Sequence, residues 1–546
     1  MRNDQISRAD SLVNDAVRAR AGGDLQTALA IANHAATDGL VHPALMRIQA
    51  EALRNSGRIK DAGQLLNQAL SVAPNDAATI VEIGRLLVAE ERTDEAIAAF
   101  QAALALRPDL LDAWLALGAA HAGSRDLARA REAFRRAAAL APRDPAPRAS
   151  LAFAEVRDGR LDAARAWANE ALGLQADHAL ASLTLASVDL DERAFEPARA
   201  RLANLLAGEG LNESQRQFAL GQLADALDGL GRAKEAFAAY SRVKEAFALR
   251  HEARYGDRGP VENHLGFIRR LAAWFERQDR RDWSRPSGDR TATSPVRRHV
   301  FLLGYLRSGV TLVESILATL PDTRVLEEGD TLAAADRAFL RNDQTLDKLN
   351  PLDLETAALA RSDYWRRVRE QVPDVDGKTF VDMSPLYGIK LPMIARLFPD
   401  AVVVLCRRDP RDVVLSCFRR NFSPNALTFQ LTSLEKIARH YDAAMRVTEH
   451  HRRALALPFH VVDYSRLVGD FDETTRALAD FVGAPWTEQV REFSRAAADR
   501  KIRTPSAHQV RRGLFDGTGQ WRKYREPMEP VLKILEPWVT EFGYGP

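Results

Sequence analysis

The sequence predicts two architectures in one chain of 546 residues: an N-terminal all-α array of helical repeats, and then an α/β domain built on a mainly parallel sheet. Three observations lead to this. Prolines recur every 34 residues in the first half, at Pro74, Pro108 and Pro142. Short apolar runs alternate with helical patterns in the second half, which is typical of a doubly wound sheet. A loop with two glycines, Gly304–Thr311, joins a strand pattern to a helical pattern and resembles loops that bind phosphate-like anions.

The composition indicates a globular protein with more than one domain, because single cores stop growing near ~250–300 residues. The 76 basic and 74 acidic residues nearly cancel, which argues against a nucleic-acid partner. The two cysteines, Cys406 and Cys417, provide neither a disulfide framework nor a metal-ligand spacing. The N-terminus has no apolar signal core, and no apolar run reaches about 18 residues. We therefore expect a cytoplasmic chain without a membrane span.

The first half repeats residue types as well as a period. Two consecutive periods match the tetratricopeptide pattern at Ile80, Ile83, Gly84, Leu87, Ala96, Phe100, Ala103 and Pro108, and at Trp114, Leu117, Gly118, His121, Ala130, Phe134, Ala137 and Pro142. Gly84 and Gly118 are expected to let the two helices of a hairpin approach closely. Five to seven such units would stack into a superhelix with a concave face. The array would either bind a protein or peptide partner on that face or serve as a purely structural arm.

These patterns define three regions. Residues 1–280 are predicted to form the repeat array, and residues 298–546 the α/β domain. Residues 281–297 are predicted to be a linker, because the surrounding stretch is polar and rich in Ser, Pro and Arg.

The α/β domain has four apolar runs that predict buried strands: Val300–Leu303, Phe380–Val381, Ala401–Cys406 and Phe459–Val462. In parallel sheets of this kind, ligands bind at the carboxyl ends of the strands. The loop after the first run contains a cation, Arg307. Val310 stands where a nucleotide kinase needs lysine, which argues against that class. An ordinary strand–loop–helix corner is the alternative interpretation.

A second candidate anion site follows the third run. Arg408, Ser416 and Arg420 are spaced by eight and four residues, so Ser416 and Arg420 share a helical face. Guanidinium groups and a hydroxyl can hold a phosphate without a metal, whereas a P-loop ATPase needs a metal-binding aspartate. The alternative is a solvated basic start to a helix. Two anion sites on neighbouring strands predict a ligand with phosphates at separate positions.

At this point the sequence resembles the sulfotransferases, and within them the bacterial tetratricopeptide–sulfotransferase fusions and the tyrosylprotein sulfotransferases. The resemblance covers about Arg298 to Tyr544 in five segments: FLLGYLRSGVTLVESIL, TRVLEEGDTL, FVDMSPLYGIKLPMIARLFPD, VVVLCRRDPRDVVLSCFRRNF and QWRKYREPMEPVLKILEPWVTEFGY. It implies an enzyme that transfers a sulfuryl group from 3′-phosphoadenosine 5′-phosphosulfate, without a metal, to a hydroxyl acceptor such as a protein tyrosine. The repeats would recruit that acceptor.

The resemblance also implies a role for each matched position. The 5′-phosphosulfate would be wrapped by Arg307, Ser308, Gly309, Val310 and Thr311, with Arg307 also taking part in catalysis. The 3′-phosphate would be held by Arg408, Ser416 and Arg420. Tyr464 and the segment Ser506–Phe515 would lie along the adenosine. Glu328 matches the general base, and the register leaves Glu327 open as the alternative.

Four positions depart from the family pattern: Leu306, Val310, Met383 and Gln520. Met383 replaces a lysine that stabilises the departing oxygen, and Gln520 replaces a basic residue. Loss of such a donor costs about 10²–10³ in rate. We therefore carry two hypotheses, an active sulfotransferase and a non-catalytic repeat scaffold with a degenerate nucleotide-binding domain. A P-loop kinase is a distant third.

Overall fold

The computed structural model describes residues 2–284, 294–498, 500, 510–511 and 513–545. Packing divides the chain into two compact units, Met1–Gln222 and Leu223–Pro546. The domain boundaries drawn from the sequence at residues 280 and 297 stay predictions, and residues 285–293 of the predicted linker lie outside the described residues.

The first unit consists of helices, which confirms the predicted all-α array. Its helices pair in sequence as antiparallel hairpins: Arg2–Ala21, Leu25–Thr37, Pro43–Asn55, Ile59–Val72, Ala77–Ala89, Thr93–Leu106, Leu111–Gly123, Leu127–Leu140, Pro145–Arg157, Leu161–Leu174, Ala179–Asp191 and Phe195–Ala207. The helix Glu213–Gly229 extends across the division between the units.

Close packing within the hairpins explains two of the repeated glycines. A Cβ atom at Gly84 would lie 2.3 Å from the ring of Phe100, and one at Gly118 would lie 2.5 Å from the ring of Phe134. Each glycine therefore makes room for the aromatic residue of the second helix in its own hairpin. This is the close approach that the sequence predicts.

Two further features of the first unit recur with the repeat. Arg131 forms an ion pair with Asp158, and Arg165 forms the equivalent pair with Glu192 in the next hairpin. A residue with left-handed φ also stands after the first helix of successive hairpins, as at Gly57, Glu91 and Arg125. These residues end one helix and turn the chain into the next.

The second unit is organised around a parallel sheet, as predicted. Its described strands are β1 (Arg298–Gly304), β2 (Thr323–Glu327), β3 (Thr379–Met383), β4 (Val402–Arg407) and β5 (Phe459–Asp463). They are arranged in the order β2-β3-β1-β4-β5, and every neighbouring pair is parallel. The sequence analysis did not predict β2, a short edge strand in which two central side chains are only partly buried. Glu327 on β2 lies opposite Met383 on β3.

Both faces of the sheet are covered by helices, so the central strands are mainly apolar, although β3 carries the buried Asp382. Alternate residues of β1 enter two different apolar clusters: Phe301 and Leu303 enter one, and Val300 and Leu302 enter the other. The α-helices of this unit are Ala233–Tyr255, His264–Glu276, Arg280–Trp283, Val310–Leu317, Ala333–Phe339, Asp343–Leu346, Leu354–Gln371, Leu391–Leu397, Pro410–Phe418, Leu434–Ala454, Tyr464–Gly469, Phe471–Val482, Phe493–Ala498 and Arg525–Glu541. Short 3₁₀ helices lie at Pro385–Lys390, Thr428–Leu431, Glu488–Glu492 and Gln520–Tyr524.

The helices just before the linker contribute to the core of the second unit. Ile268, Leu271 and Trp274 are buried in the same apolar cluster as Phe301 of β1. Phe237 stacks on Phe418 with ring centroids 5.2 Å apart. This stretch therefore packs with the sheet, although its sequence continues the helical pattern of the array.

Candidate functional site

The loop between β1 and the helix Val310–Leu317 has the backbone of an anion-binding turn. Gly309 caps that helix with φ +99°, and Arg307 also adopts a left-handed φ of +68°. The Ser308 hydroxyl donates to the Tyr305 carbonyl over 2.7 Å and so fixes the turn. A Cβ atom at Gly309 would lie 2.9 Å from the Tyr464 ring, so only glycine fits there without displacement. The first N–H groups of the helix, at Val310 and Thr311, follow this turn directly.

Arg307 and Arg408, although 101 residues apart in sequence, meet beside this loop. The Arg307 Nε donates to the Ser416 hydroxyl over 3.0 Å. The Arg408 guanidinium donates to the carbonyls of Arg307, over 3.1 Å, and of Gly517, over 2.6 Å. It also lies 4.7 Å from the centre of the Tyr464 ring. The Arg408 Nε is buried and has no hydrogen-bond partner among the described residues.

A cavity of about 170 Å³ brings most of the predicted phosphate-binding residues together. Its lining is Asp228, Arg307, Arg408, Asp412, Leu415, Ser416, Arg419, Arg420, Tyr464, Phe515 and Gln520. Burial, followed by the charges of Arg420 and Arg408, lowers the pKa of Arg307 to about 9. The lowered pKa of Arg307 indicates that burial and the neighbouring arginines disfavour its positive charge. An anion in the cavity would reverse that cost.

The two carboxylates in this cavity are already committed to protein groups. Asp412 accepts hydrogen bonds from the backbone N–H groups of Gly519, over 2.7 Å, and Trp521, over 2.9 Å. Asp228 accepts from Arg419 over 2.6 Å. The positive charges of Arg307, Arg408 and Arg420 therefore dominate the space that remains.

A second, smaller cavity adjoins the loop where the adenosine is predicted to lie. Its lining includes Gly309, Thr311, Tyr464 and Phe515. The Tyr464 hydroxyl donates to the Phe515 carbonyl over 2.5 Å, which ties the end of the predicted adenosine-binding segment to the helix after β5. Ser506, predicted to belong to the same segment, lies outside the described residues.

The candidate base stands where β2 ends. Glu327 is the last residue of the strand and is buried. Glu328 is exposed, adopts a left-handed φ of +45°, and donates its N–H to the Met383 carbonyl over 2.8 Å. Although the residue is exposed, the surrounding protein partly desolvates its carboxylate, and this desolvation, followed by the charge of Glu327, raises the pKa of Glu328. Neither acid lines the two cavities described above.

Met383 ends β3 and is fully buried in the apolar cluster that includes Leu302 and Val310. The two nearest lysines are used elsewhere. Lys378 pairs with Asp322, and Lys390 pairs with Asp336, each over 2.5 Å. Neither therefore replaces the missing lysine at position 383.

Sequence reasoning missed Asp412, which lines the cavity, and Glu314, a buried acid on the helix after the loop. Asp412 lies four residues after Arg408, so helical spacing could have placed it on the same face. Glu314 is fully buried on the helix after the loop and accepts from Arg500 over 2.5 Å. Because Arg500 is 186 residues away in sequence, no local pattern indicates this pair.

Comparison with protein families identifies both parts of the chain. Residues 299–488 match the Sulfotransferase family, and residues 81–145 match the Tetratricopeptide repeat. One chain therefore contains a region that matches the Sulfotransferase family and a region that matches the Tetratricopeptide repeat, in agreement with the resemblance seen in the sequence. In particular, the sulfotransferase match contains the anion-binding loop, the acid pair, Met383 and the Arg408–Arg420 segment.

One curated relative is an uncharacterized protein from Aquifex aeolicus (strain VF5), 26% identical over 252 residues. The match covers 44% of this chain and 33% of that protein, so the chain matches only a third of the relative's length. Solved structures with some similarity include a chain of the APC/C hetero-tetramer Cut9-Hcn1 (19% identity, 41% of this chain, 46% of that chain, TM-score 0.36). PilF of Pseudomonas aeruginosa is another (16% identity, 38% of this chain, 91% of that chain, TM-score 0.32).

Within the described residues, no group of three or more His, Cys, Asp and Glu side chains could hold a metal ion. No described helix is both long and apolar enough to cross a membrane.

Proposed function

We propose that the chain is a sulfotransferase that moves a sulfuryl group from 3′-phosphoadenosine 5′-phosphosulfate to a hydroxyl acceptor. The observation that carries this proposal is the cavity in which Arg307, Arg408 and Arg420 converge with the Ser416 hydroxyl. Its two carboxylates are used by protein groups, so the cavity favours an anion rather than a metal–nucleotide complex. Arg408, Ser416 and Arg420 would hold the 3′-phosphate, and the loop Arg307–Thr311 would hold the 5′-phosphosulfate.

The chemistry requires a base on the acceptor and charge stabilisation on the leaving group. The acceptor oxygen forms a bond to sulfur while the bond from sulfur to the bridging phosphate oxygen breaks. Glu328 would take the hydroxyl proton, and its raised pKa suits a base that must hold this proton. The charge that develops on the departing phosphate would be stabilised by Arg307 and the N–H groups of the loop. The products are a sulfate ester and adenosine 3′,5′-bisphosphate.

The non-catalytic scaffold remains a second candidate because of Met383. Its side chain is fully buried among apolar residues, and the two nearest lysines are engaged in ion pairs. A domain of this kind would bind the nucleotide without fast turnover.

For the enzyme and for the scaffold alike, we propose that the repeat array binds a protein or peptide partner and that the chain is cytoplasmic. The two free, buried cysteines support a cytoplasmic location.

Two measurements on the full chain test the proposal. Calorimetric titration should show that adenosine 3′,5′-bisphosphate binds without Mg²⁺ and more tightly than ATP with Mg²⁺. Transfer of labelled sulfate to a panel of phenols, sugars and tyrosine peptides then separates the enzyme from the scaffold. Tighter binding of ATP–Mg²⁺ would contradict the nucleotide assignment. Bisphosphate binding with no transfer to any acceptor would favour the scaffold.

A further inference from the structure

The helices Glu213–Gly229 and Ala233–Tyr255 form the helical hairpin before the sheet, and Asp228 of this hairpin lines the predicted 3′-phosphate cavity. Arg419 and Arg420 directly follow the helix Pro410–Phe418, and both line the cavity. The helix Ala233–Tyr255 packs against this point, where Phe237 stacks on Phe418. The end of the helix that supplies Ser416 is therefore covered by residues more than 160 positions earlier in the chain.

Lys244 makes the most informative contact in this region. Its side chain is 6% exposed, and its ammonium group donates to the Arg420 carbonyl over 2.6 Å. Burial lowers the pKa of Lys244 to about 8, so the position is costly for a charged group. The Lys244 ammonium therefore binds the main-chain oxygen of Arg420, a residue predicted to hold the phosphate. This hydrogen bond fixes the backbone from which the Arg420 side chain extends.

The neighbouring residue is anchored from the same hairpin. Asp228 accepts from Arg419 over 2.6 Å and from the Tyr524 hydroxyl over 2.7 Å. The Arg419 charge is therefore neutralised by a carboxylate, whereas no such pair is found for Arg420 among the described residues. The two consecutive arginines therefore have different roles. Arg419 pairs with Asp228 of the hairpin, and Arg420 lines the cavity without an acidic partner among the described residues.

We propose that Lys244 is a positioning residue for the 3′-phosphate half of the nucleotide site, acting through the Arg420 backbone. This inference rests on the proposed function. It assigns part of the nucleotide specificity to the helical hairpin, which lies outside the region that matches the sulfotransferase family. A purely structural role for Lys244 would affect all nucleotides alike, whereas a positioning role affects only those with a 3′-phosphate.

The test compares adenosine 3′,5′-bisphosphate with AMP, which lacks the 3′-phosphate, by calorimetry on the full chain. Lys244→Met fills the same space without the donor, and it should weaken the bisphosphate about tenfold. Binding of AMP should stay within about twofold. Lys244→Arg, which keeps a charged donor, should restore most of the preference for the bisphosphate. The matched control is Lys234→Met, the same change at an exposed lysine on the same helix, and it should leave both affinities unchanged.

If Lys244→Met does not fold, Lys244→Gln replaces it, because the shorter amide keeps a polar group but does not reach the carbonyl. A parallel loss for both nucleotides, or no loss for either, would overturn the positioning role while leaving the proposed function intact. If the wild-type chain itself shows no preference for the bisphosphate over AMP, the proposed function is wrong and this inference falls with it. Wild-type binding alone separates the two failures.

Discussion

Non-glycine residues with a left-handed backbone φ occur in both units of the molecule but follow a different pattern in each. In the repeat unit, non-glycine residues with positive φ recur at one position of the repeat, at Glu91, Arg125 and Arg193. In the sheet unit they are Arg307, Asp322 and Glu328, and two of these three are candidate catalytic residues. Such a conformation costs about 1–2 kcal/mol per residue. In the repeat unit this conformation turns the chain between helices, whereas at Arg307 and Glu328 it falls on candidate site residues.

The largest expected effect compares two glutamates of this kind. Glu328→Gly should lower turnover about 10²–10⁴-fold, because the acceptor proton loses its base. Glu91→Gly should leave turnover unchanged and raise the stability of the repeat unit by up to about 1 kcal/mol. Both are checked by transfer assays and thermal melts.

Substitutions of Glu327 and Glu328, together with the pH dependence of turnover, test further whether Glu328 is the base. Glu327→Gln should retain more activity than Glu328→Gln, and the reverse result would reassign the base to Glu327. Because the pKa of Glu328 is raised above its ordinary value, wild-type turnover should rise as the pH increases through that pKa and the base is deprotonated. A rate that falls over that range would contradict a carboxylate base.

The next largest effect concerns Met383. Met383→Lys should raise turnover by about ten- to a thousandfold, the range for one preorganised donor near developing charge. Nucleotide affinity should change little. The variant should also be less stable, because the position is fully buried and apolar, and a thermal melt measures that cost. An unchanged rate in a folded variant would mean that position 383 does not face the reaction.

A smaller effect separates two arginines at the end of β4. Arg408→Ala should weaken adenosine 3′,5′-bisphosphate about tenfold to a hundredfold, since charged hydrogen bonds are worth ~1.5–3 kcal/mol. Arg407 instead pairs with Glu449 and lies 4.4 Å from the centre of the Phe542 ring. Arg407→Ala should therefore lower the melting temperature and leave the affinity unchanged. Calorimetry and thermal melts on both variants check this, and equal losses of affinity would refute the division.

The sequence predicts the repeat unit better than the sheet unit for a physical reason. Every helix of the array packs against its neighbours, so a local period reports the packing directly, as Gly84 and Gly118 show. In the sheet unit, four strands were found because each contains consecutive apolar residues, including the edge strand β5, in which only Val462 is buried. The edge strand β2 was missed because its two apolar residues, Val325 and Leu326, have a charged residue on either side, Arg324 and Glu327.

At the candidate site, too, the sequence predicts features that depend on local spacing and misses those that depend on distant contacts. The anion-binding loop was found because its spacing is local, and the structure brings Arg307, Arg408, Ser416 and Arg420 to one cavity. Lys244 and Glu314 were missed because their partners lie 176 and 186 residues away. Contacts over such distances follow from the fold and leave no local pattern in the sequence.

The equivalent ion pairs Arg131–Asp158 and Arg165–Glu192 have an evolutionary consequence. The second pair repeats the first after 34 residues, so each partner has its counterpart at the same position of the next hairpin. A duplication or deletion of one whole unit at this place would give each arginine a new acidic neighbour in the right location. This part of the array can therefore change length in steps of one repeat without leaving an unmatched charge at the junction.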